Sequence, residues 1–319
     1  MSRSALLINR FIRLAGPLLF LLILSRIDLG RTAEMLRTVR AQFLLAAAIL
    51  YPLLILLKSW RWHLLLRQQG VSYSLVPAFA VYNSALAAGY VTPGRLGELV
   101  KALYLRKDKG IALGYAFSSV VMDRLLDLYV LLATAAAGAT LFALPRSFVH
   151  LSLAVLAAAG LAPLVVLIPS VSRRLTALVT KGASRLADAR HKEELAQGLS
   201  GFQRGMEEMV TARLLWALAW TVVAYALYYL QCYLIALALG LPVSCPYSAY
   251  SVSLASLVAL LPVSISGLGV REAIFVALFR PMGLAPEMAV SYSLLILLVF
   301  NVFGGALGAL AWLLKPLEQ

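Results

Sequence analysis

SISGLGVREA, residues 264–273, interrupts an otherwise apolar stretch. SLASLVALLP (253–262) runs into it and IFVALF (274–279) leads away from it. Two glycines, an arginine and a glutamate therefore lie where a plain apolar helix would carry none. Gly and Pro free backbone N–H and C=O groups, and at membrane depth these are tolerated only when buried in protein or lining a wet cavity. The stretch predicts a helix broken inside a membrane protein.

It has an echo. Residues 92–99 read TPGRLGEL and residues 266–273 read SGLGVREA. Each holds a two-glycine break with an Arg and a Glu close by. Each follows a run of small and apolar residues, VYNSALAAGYV in one case and YSVSLASLVALLPV in the other. Each leads into a short apolar helix, LVKALYL or AIFVALF, then a turn, RKDKG or RPMGLAP, then a long helix. The offset is about 174 residues, the mark of a divergent internal duplication. Repeat 1 is expected over about 74–144 and repeat 2 over about 246–314.

The composition sets the class. Of 319 residues, 62% are hydrophobic and 13% charged, whereas a soluble domain is nearer half apolar and a quarter charged. The expectation is an all-α polytopic membrane protein forming one integral unit over residues 1–319. Six spans are predicted, at about 11–30, 42–60, 117–144, 148–169, 213–239 and 286–314, with two re-entrant broken helix pairs. The charge is +14. Its clusters fall in loops, which points to topology and anionic headgroups and away from nucleic acid. Arg10 and Arg13 before 14–24 imitate a secretory signal, but no small-residue cleavage site follows, so an uncleaved first helix is expected.

With six crossings and both termini cytoplasmic, the basic groups around Lys58–Arg67, Arg106–Lys109, 173–213 and Lys315 all fall inside. The loop at 31–41, with Arg31, Arg37 and Arg40, is the exception. Three crossings separate the two breaks, so the repeats are expected to be inverted, one dipping in from each side. Inverted repeats with broken helices near the midplane mark many transporters. Segment 172–210 carries one apolar stripe, including Leu195, Leu199, Phe202, Met206 and Met209. It is expected on the cytoplasmic headgroup layer, with a solvated hairpin packed on the loops as the alternative.

Candidate site residues follow from the breaks. Gly94 and Gly97, and Gly267 and Gly269, open the backbone. Helix N-termini beginning near Glu98 and Glu272 favour an anion, and Arg95 and Arg271 add full positive charges. An ionisable group at the bilayer centre costs roughly 2.5–3.5 kcal/mol on insertion scales, so these four are expected to have partners. They either form structural ion pairs, Arg95–Glu98 and Arg271–Glu272, or line a headgroup or ion path. In VVMDRLLDL, Asp123 and Asp127 share a helical face with Arg124 beside them. They either face Arg95 and the cavity or are surface charges on a cytoplasmic extension. Asn301, in the matching part of repeat 2, is their weaker candidate partner. Lys58-Ser59-Trp60-Arg61-Trp62 reads as an interfacial anchor, and Trp220, Tyr225, Tyr228 and Tyr229 as packing residues.

Two cysteines and three scattered histidines form no disulfide framework or metal motif, and no nucleotide-binding or hydrolase motif is present. The sequence calls for no cofactor and no catalytic residue.

PGRLGELVKALYL, SSVVMDRLLDL and SISGLGVREAIF, in that order, resemble the lysylphosphatidylglycerol synthase transmembrane-region family, a flippase-like unit, over about 42–314. The resemblance implies lipid translocation in a bacterial inner membrane. The lipid would carry an anionic or zwitterionic headgroup: a phospholipid, a polyprenyl-linked lipid or a hopanoid. No aminoacyl-transferase segment appears in this sequence, so the synthase reaction is not carried over. Membrane lipids are the expected partners, with lipid-biosynthesis enzymes and a second copy of the chain left open. A membrane subunit or enzyme of glycolipid synthesis and a small-ion transporter are the alternatives.

Overall fold

The computed structural model describes residues 18–92, 94–142, 189–260 and 266–317, and every regular element among them is helical. The expected span at 148–169, the first part of the amphipathic segment at 172–188, Pro93 and residues 261–265 lie outside the described residues. The expected span at 11–30 is described from residue 18. It is helical over 18–24, and the chain then turns into α1 (Leu29–Arg37), whose Asp28 N-cap accepts from the Arg31 N–H at 3.0 Å.

Next come α2 (Ala41–Ile49) and α3 (Tyr51–Gln68), which run on as one 28-residue rod with Pro52 in the first turn of α3. Pro is tolerated there because that N–H has no partner within the new helix. Then follow α4 (Leu75–Tyr90), a 3₁₀ turn (Leu96–Leu99), α5 (Val100–Lys109) and α6 (Leu113–Leu141). After the undescribed stretch come α7 (Ala189–Met209), α8 (Leu214–Ala238), α9 (Cys245–Ala259) and α10 (Val270–Phe279). The last rod runs 29 residues, Pro286–Leu314, as α11 (Pro286–Ile296), a π-helical turn (Leu297–Phe303) and α12 (Gly304–Leu314).

Three helices, Ala41–Gln68, Leu214–Ala238 and Pro286–Leu314, are long and apolar enough to cross a membrane. They match three of the expected spans. Helix α6 has the length, 29 residues or about 44 Å, and carries Asp123, Arg124 and Asp127 along its course.

Contacts sort the helix termini into two ends. At one, Tyr73 donates to Asp108 Oδ2 at 2.5 Å, Lys315 Nζ donates to the Tyr73 hydroxyl at 2.9 Å, and the Tyr104 hydroxyl donates to the Lys315 carbonyl at 2.8 Å. There too Tyr115 donates to the Gln69 carbonyl at 2.6 Å. This end gathers the end of α3, the start of α4, the end of α5, the start of α6 and the end of α12. At the other, the Arg40 N–H donates to the Ala238 carbonyl at 2.9 Å and the Asp28 N–H to Glu287 at 3.1 Å. Tyr247 there donates to the Leu278 carbonyl at 2.5 Å, and its ring meets Phe142 with centroids 4.9 Å apart. So α4 and α5 begin and finish at the first end, and α9 and α10 begin and finish at the second.

The packing of the two units is reciprocal. Helix α4 packs on α12, and α9 packs on α6. A glycine seats each pair: a side chain at Gly308 would meet the Asn83 carbonyl at 2.5 Å, and one at Gly138 the Tyr250 ring at 2.3 Å. These contacts join the long helix of each unit to the broken helix of the other.

Helix α7 does not lie free of the protein. Its backbone touches α6, where a side chain at Gly114 would strike the Gly198 carbonyl. Met206 and Met209 are buried among Leu65, Met122, Leu126 and Ala217. This part of the apolar stripe packs on protein. Leu195, further toward the N-terminus, is exposed.

Candidate functional site

Two pairs of side chains, each spaced one helical turn, form the centre. Lys58 and Arg61 lie three apart on α3, and Asp123 and Asp127 four apart on α6, so each pair shares a helical face. The helices bring the two faces together. Arg61 donates from Nε to Asp123 Oδ1 at 2.9 Å and from Nη1 to Asp127 Oδ1 at 2.5 Å. Lys58 Nζ donates to Asp127 Oδ2 at 3.0 Å. From α5, Lys101 Nζ reaches Asp123 Oδ2 at 2.6 Å, and from α4 the Tyr82 hydroxyl donates to the same oxygen at 3.1 Å. Arg61, Lys101 and Asp123 are fully buried. Removing one member of a buried pair leaves an uncompensated charge, so such a cluster is stable only when each member is matched.

This corrects the reading of Lys58–Trp62 as an interfacial anchor. Arg61 and Trp62 are fully buried, and the Trp62 indole N–H donates to Ser119 Oγ at 3.3 Å. The cations at 58 and 61 neutralise the acids of VVMDRLLDL. Lys101 was missed as well, because in LVKALYLRKDKG it reads as the start of a basic tail. The surface-charge alternative for Asp123 and Asp127 fails, since both are buried.

The first break turns through Gly94 and Arg95, both left-handed at φ 59° and 56°. Gly97 is required by close approach, since a Cβ there would lie 2.2 Å from the Ala88 carbonyl oxygen. The expected Arg95–Glu98 pair does not form. Glu98, buried against Gly89, pairs with Arg124 of α6, and Arg124 also lies 3.7 Å from Asp127. The Arg95 guanidinium lies 5.8 Å from the centre of the Tyr90 ring and makes no ion pair with a described residue.

The second break does form its expected pair. Gly269, at φ 84°, precedes α10, and its N–H donates to Glu272 Oε2 at 2.5 Å, so the glutamate caps its own helix. Arg271 Nη2 lies 3.3 Å from Glu272 Oε1, and its Nε donates to Ser293 Oγ at 2.6 Å, which in turn donates to Glu272. Gly267 is left-handed at φ 76° and faces Ala259. Asn301 does not reach Asp123 or Asp127. It donates to Ser266 Oγ at 2.7 Å, and Ser266 donates to the Tyr90 carbonyl at 2.5 Å, which ties the second break to the end of α4.

A cavity of about 250 Å³ lies between the breaks. Its polar wall carries Lys58, Arg95, Arg124, Asp127, Arg271 and Asn301. Leucines of α6, with Phe275 and Phe300, supply an apolar wall. Glu98, Asp123 and Glu272 stand behind the polar wall, each holding a cation of the cluster. Tyr225 and Tyr228, expected to be packing residues, also face the cavity. Six cations, Lys58, Arg61, Arg95, Lys101, Arg124 and Arg271, meet four carboxylates, an excess of two positive charges among the described residues. Asp123 and Asp127 are both engaged by cations, and no group of three metal-ligand side chains gathers among the described residues.

Against known proteins, the family model described as the lysylphosphatidylglycerol synthase TM region matches residues 8–308. A UPF0104 membrane protein of Methanocaldococcus jannaschii is 25% identical over 319 residues, covering 94% of this chain and 93% of the relative. A second UPF0104 membrane protein, from Methanothermobacter thermautotrophicus, is 24% identical over 275 residues, covering 82% of this chain and 81% of the relative.

Proposed function

The chain belongs to the lysylphosphatidylglycerol synthase transmembrane-region family, and from that premise we propose that it moves a lipid with an anionic or zwitterionic headgroup between membrane leaflets. One observation carries the proposal: Arg95 and Arg271, one from each break, line the same cavity. The excess positive charge around it favours a phosphate. About 250 Å³ lies just below the roughly 300–1,000 Å³ of ordinary ligand pockets. It suits a headgroup and leaves the acyl chains in the bilayer.

We read α4–α5 and α9–α10 as re-entrant pairs of two inverted repeats. Their attachment to opposite ends of the fold supports this. The end that holds Arg67, Arg106, Lys107, Lys109 and Lys315 is then cytoplasmic, with both termini on that side of a cell's inner membrane. In this reading the two breaks hand the headgroup from one face to the other, and the chain makes or breaks no covalent bond.

The test is leaflet exchange of a labelled phospholipid in vesicles containing the purified protein. The wild type should exceed protein-free vesicles, and Arg95→Ala/Arg271→Ala should fall to their level while still melting cooperatively. Equal rates for wild type and a folded double variant would sink the assignment.

A further inference from the structure

We propose that the cavity is a charge filter. It accepts a phosphate-bearing headgroup of net negative charge and rejects a headgroup with an uncompensated amine, aminoacylated lipids included. The inference rests on the cavity being the headgroup site, and it narrows that reading to one class.

The argument is about what an ammonium would find there. A buried ammonium needs a carboxylate or an aromatic face. Asp127 is the one carboxylate on the cavity wall among the described residues, and Lys58, Arg61 and Arg124 already surround it. Two of the aromatic faces already carry a cation, and Tyr51, Tyr228, Phe275 and Phe300 are engaged ring to ring. Lys58 Nζ lies 4.7 Å from the centre of the Tyr225 ring, and the Arg95 guanidinium 5.8 Å from that of Tyr90. An incoming amine would displace one of these cations or share a wall that already holds two more positive than negative charges.

A phosphate meets the opposite situation. Arg95 pairs with no carboxylate among the described residues, and Arg124 Nε has no hydrogen-bond partner among them. Arg271 enters from the other break. The Tyr51 and Tyr90 hydroxyls, 3.2 Å apart, add neutral donors suited to glycerol or sugar hydroxyls. Every wall cation is thus matched to an anion of the protein or open to one brought by the lipid.

The experiment measures binding and movement separately. Purified protein in detergent is titrated with phosphatidylglycerol, lysyl-phosphatidylglycerol and inorganic phosphate, read by thermal shift and native mass spectrometry. The same two lipids, labelled, are followed for leaflet exchange in vesicles. Phosphatidylglycerol should bind at least tenfold more tightly than its lysyl ester, about 1.4 kcal/mol, and Arg95→Gln should shrink that ratio. Equal binding of the two lipids would overturn the filter, whatever the exchange assay shows. Exchange of both lipids at one rate would also overturn it and leave translocation standing. Discrimination in binding without any exchange would keep the filter and end the translocation reading. Inorganic phosphate stabilising the protein as strongly as the lipid would make this a site for free anions and overturn both the headgroup filter and the lipid reading.

Discussion

Arg61 Nε donates to Asp123 Oδ1 at 2.9 Å, and both side chains are withdrawn from solvent completely. The guanidinium also holds Asp127, so one residue of α3 fixes two positions on α6. Arg61→Met should therefore cost about 3–5 kcal/mol, the range for a buried pair broken from one side. Arg61→Lys should recover part of it, since a lysine keeps the charge and loses the fork. Unfolding midpoints in detergent measure both. A midpoint for Arg61→Met within a degree of wild type would mean the cluster contributes little to the fold.

The same contact explains what a single sequence could and could not reveal. The glycine breaks were legible because Gly, Arg and Glu in an apolar run have few other readings. VVMDRLLDL was legible because two acids on one face of a long apolar helix demand partners. The partners were not, since Arg61 is 62 residues from Asp123 and lies between tryptophans that imitate a membrane-interface belt. One signal was present: cations one turn apart at 58 and 61 match acids one turn apart at 123 and 127. Asn301 misled for the opposite reason, because its place in the sequence suggested a partnership with Asp123 and Asp127, whereas it bonds Ser266. Lys101 meets Asp123 across 22 residues, and Arg271 meets Ser293 across the same 22. At the second break the cation meets a hydroxyl, and Glu272 balances its charge.

The two kinds of glycine in the first unit should respond differently to alanine. At Gly97 a Cβ would lie 2.2 Å from a backbone oxygen of α4, which cannot yield without moving the break. Gly110 is left-handed at φ 66° with nothing within 4 Å of a built Cβ. Gly110→Ala should cost only about 1–2 kcal/mol of backbone strain. Gly97→Ala should cost more and also weaken phospholipid binding, because Glu98 and Arg124 move with the turn. Thermal shift with and without phosphatidylglycerol separates the two effects.

The clasp at the basic end should depend on pH in one direction. Burial would raise the Asp108 carboxyl, but hydrogen bonds from Lys315 and Tyr73 outweigh it and hold the group below its ordinary value. A carboxyl whose folded pKa is depressed adds stability above its unfolded pKa and loses it as pH falls through the folded one. The tie between α5 and the end of α12 should hold at neutral pH and loosen only below the ordinary carboxylate range. Hydrogen exchange of the last turn of α12 across an acid titration checks this. In Asp108→Asn that turn should exchange faster at neutral pH and lose its acid dependence.

Glu98 and Arg124 allow structure and binding to be separated. Glu98 is 1% exposed, and apart from Arg124 no described residue reaches its carboxylate. Arg124→Gln should leave that charge buried and alone, lowering stability by about 3–5 kcal/mol. Adding Glu98→Gln removes the orphaned charge, so the double variant should regain most of the loss, with a coupling energy of about 1–3 kcal/mol or more. Phosphatidylglycerol binding should not return with it, because Arg124 faces the cavity and the lipid loses that cation in both variants. Melting and lipid titration of the wild type, both single variants and the double complete the cycle. If stability and binding recover together, Arg124 serves only to neutralise Glu98. If stability alone recovers, the guanidinium holds Glu98 on one side and the headgroup on the other.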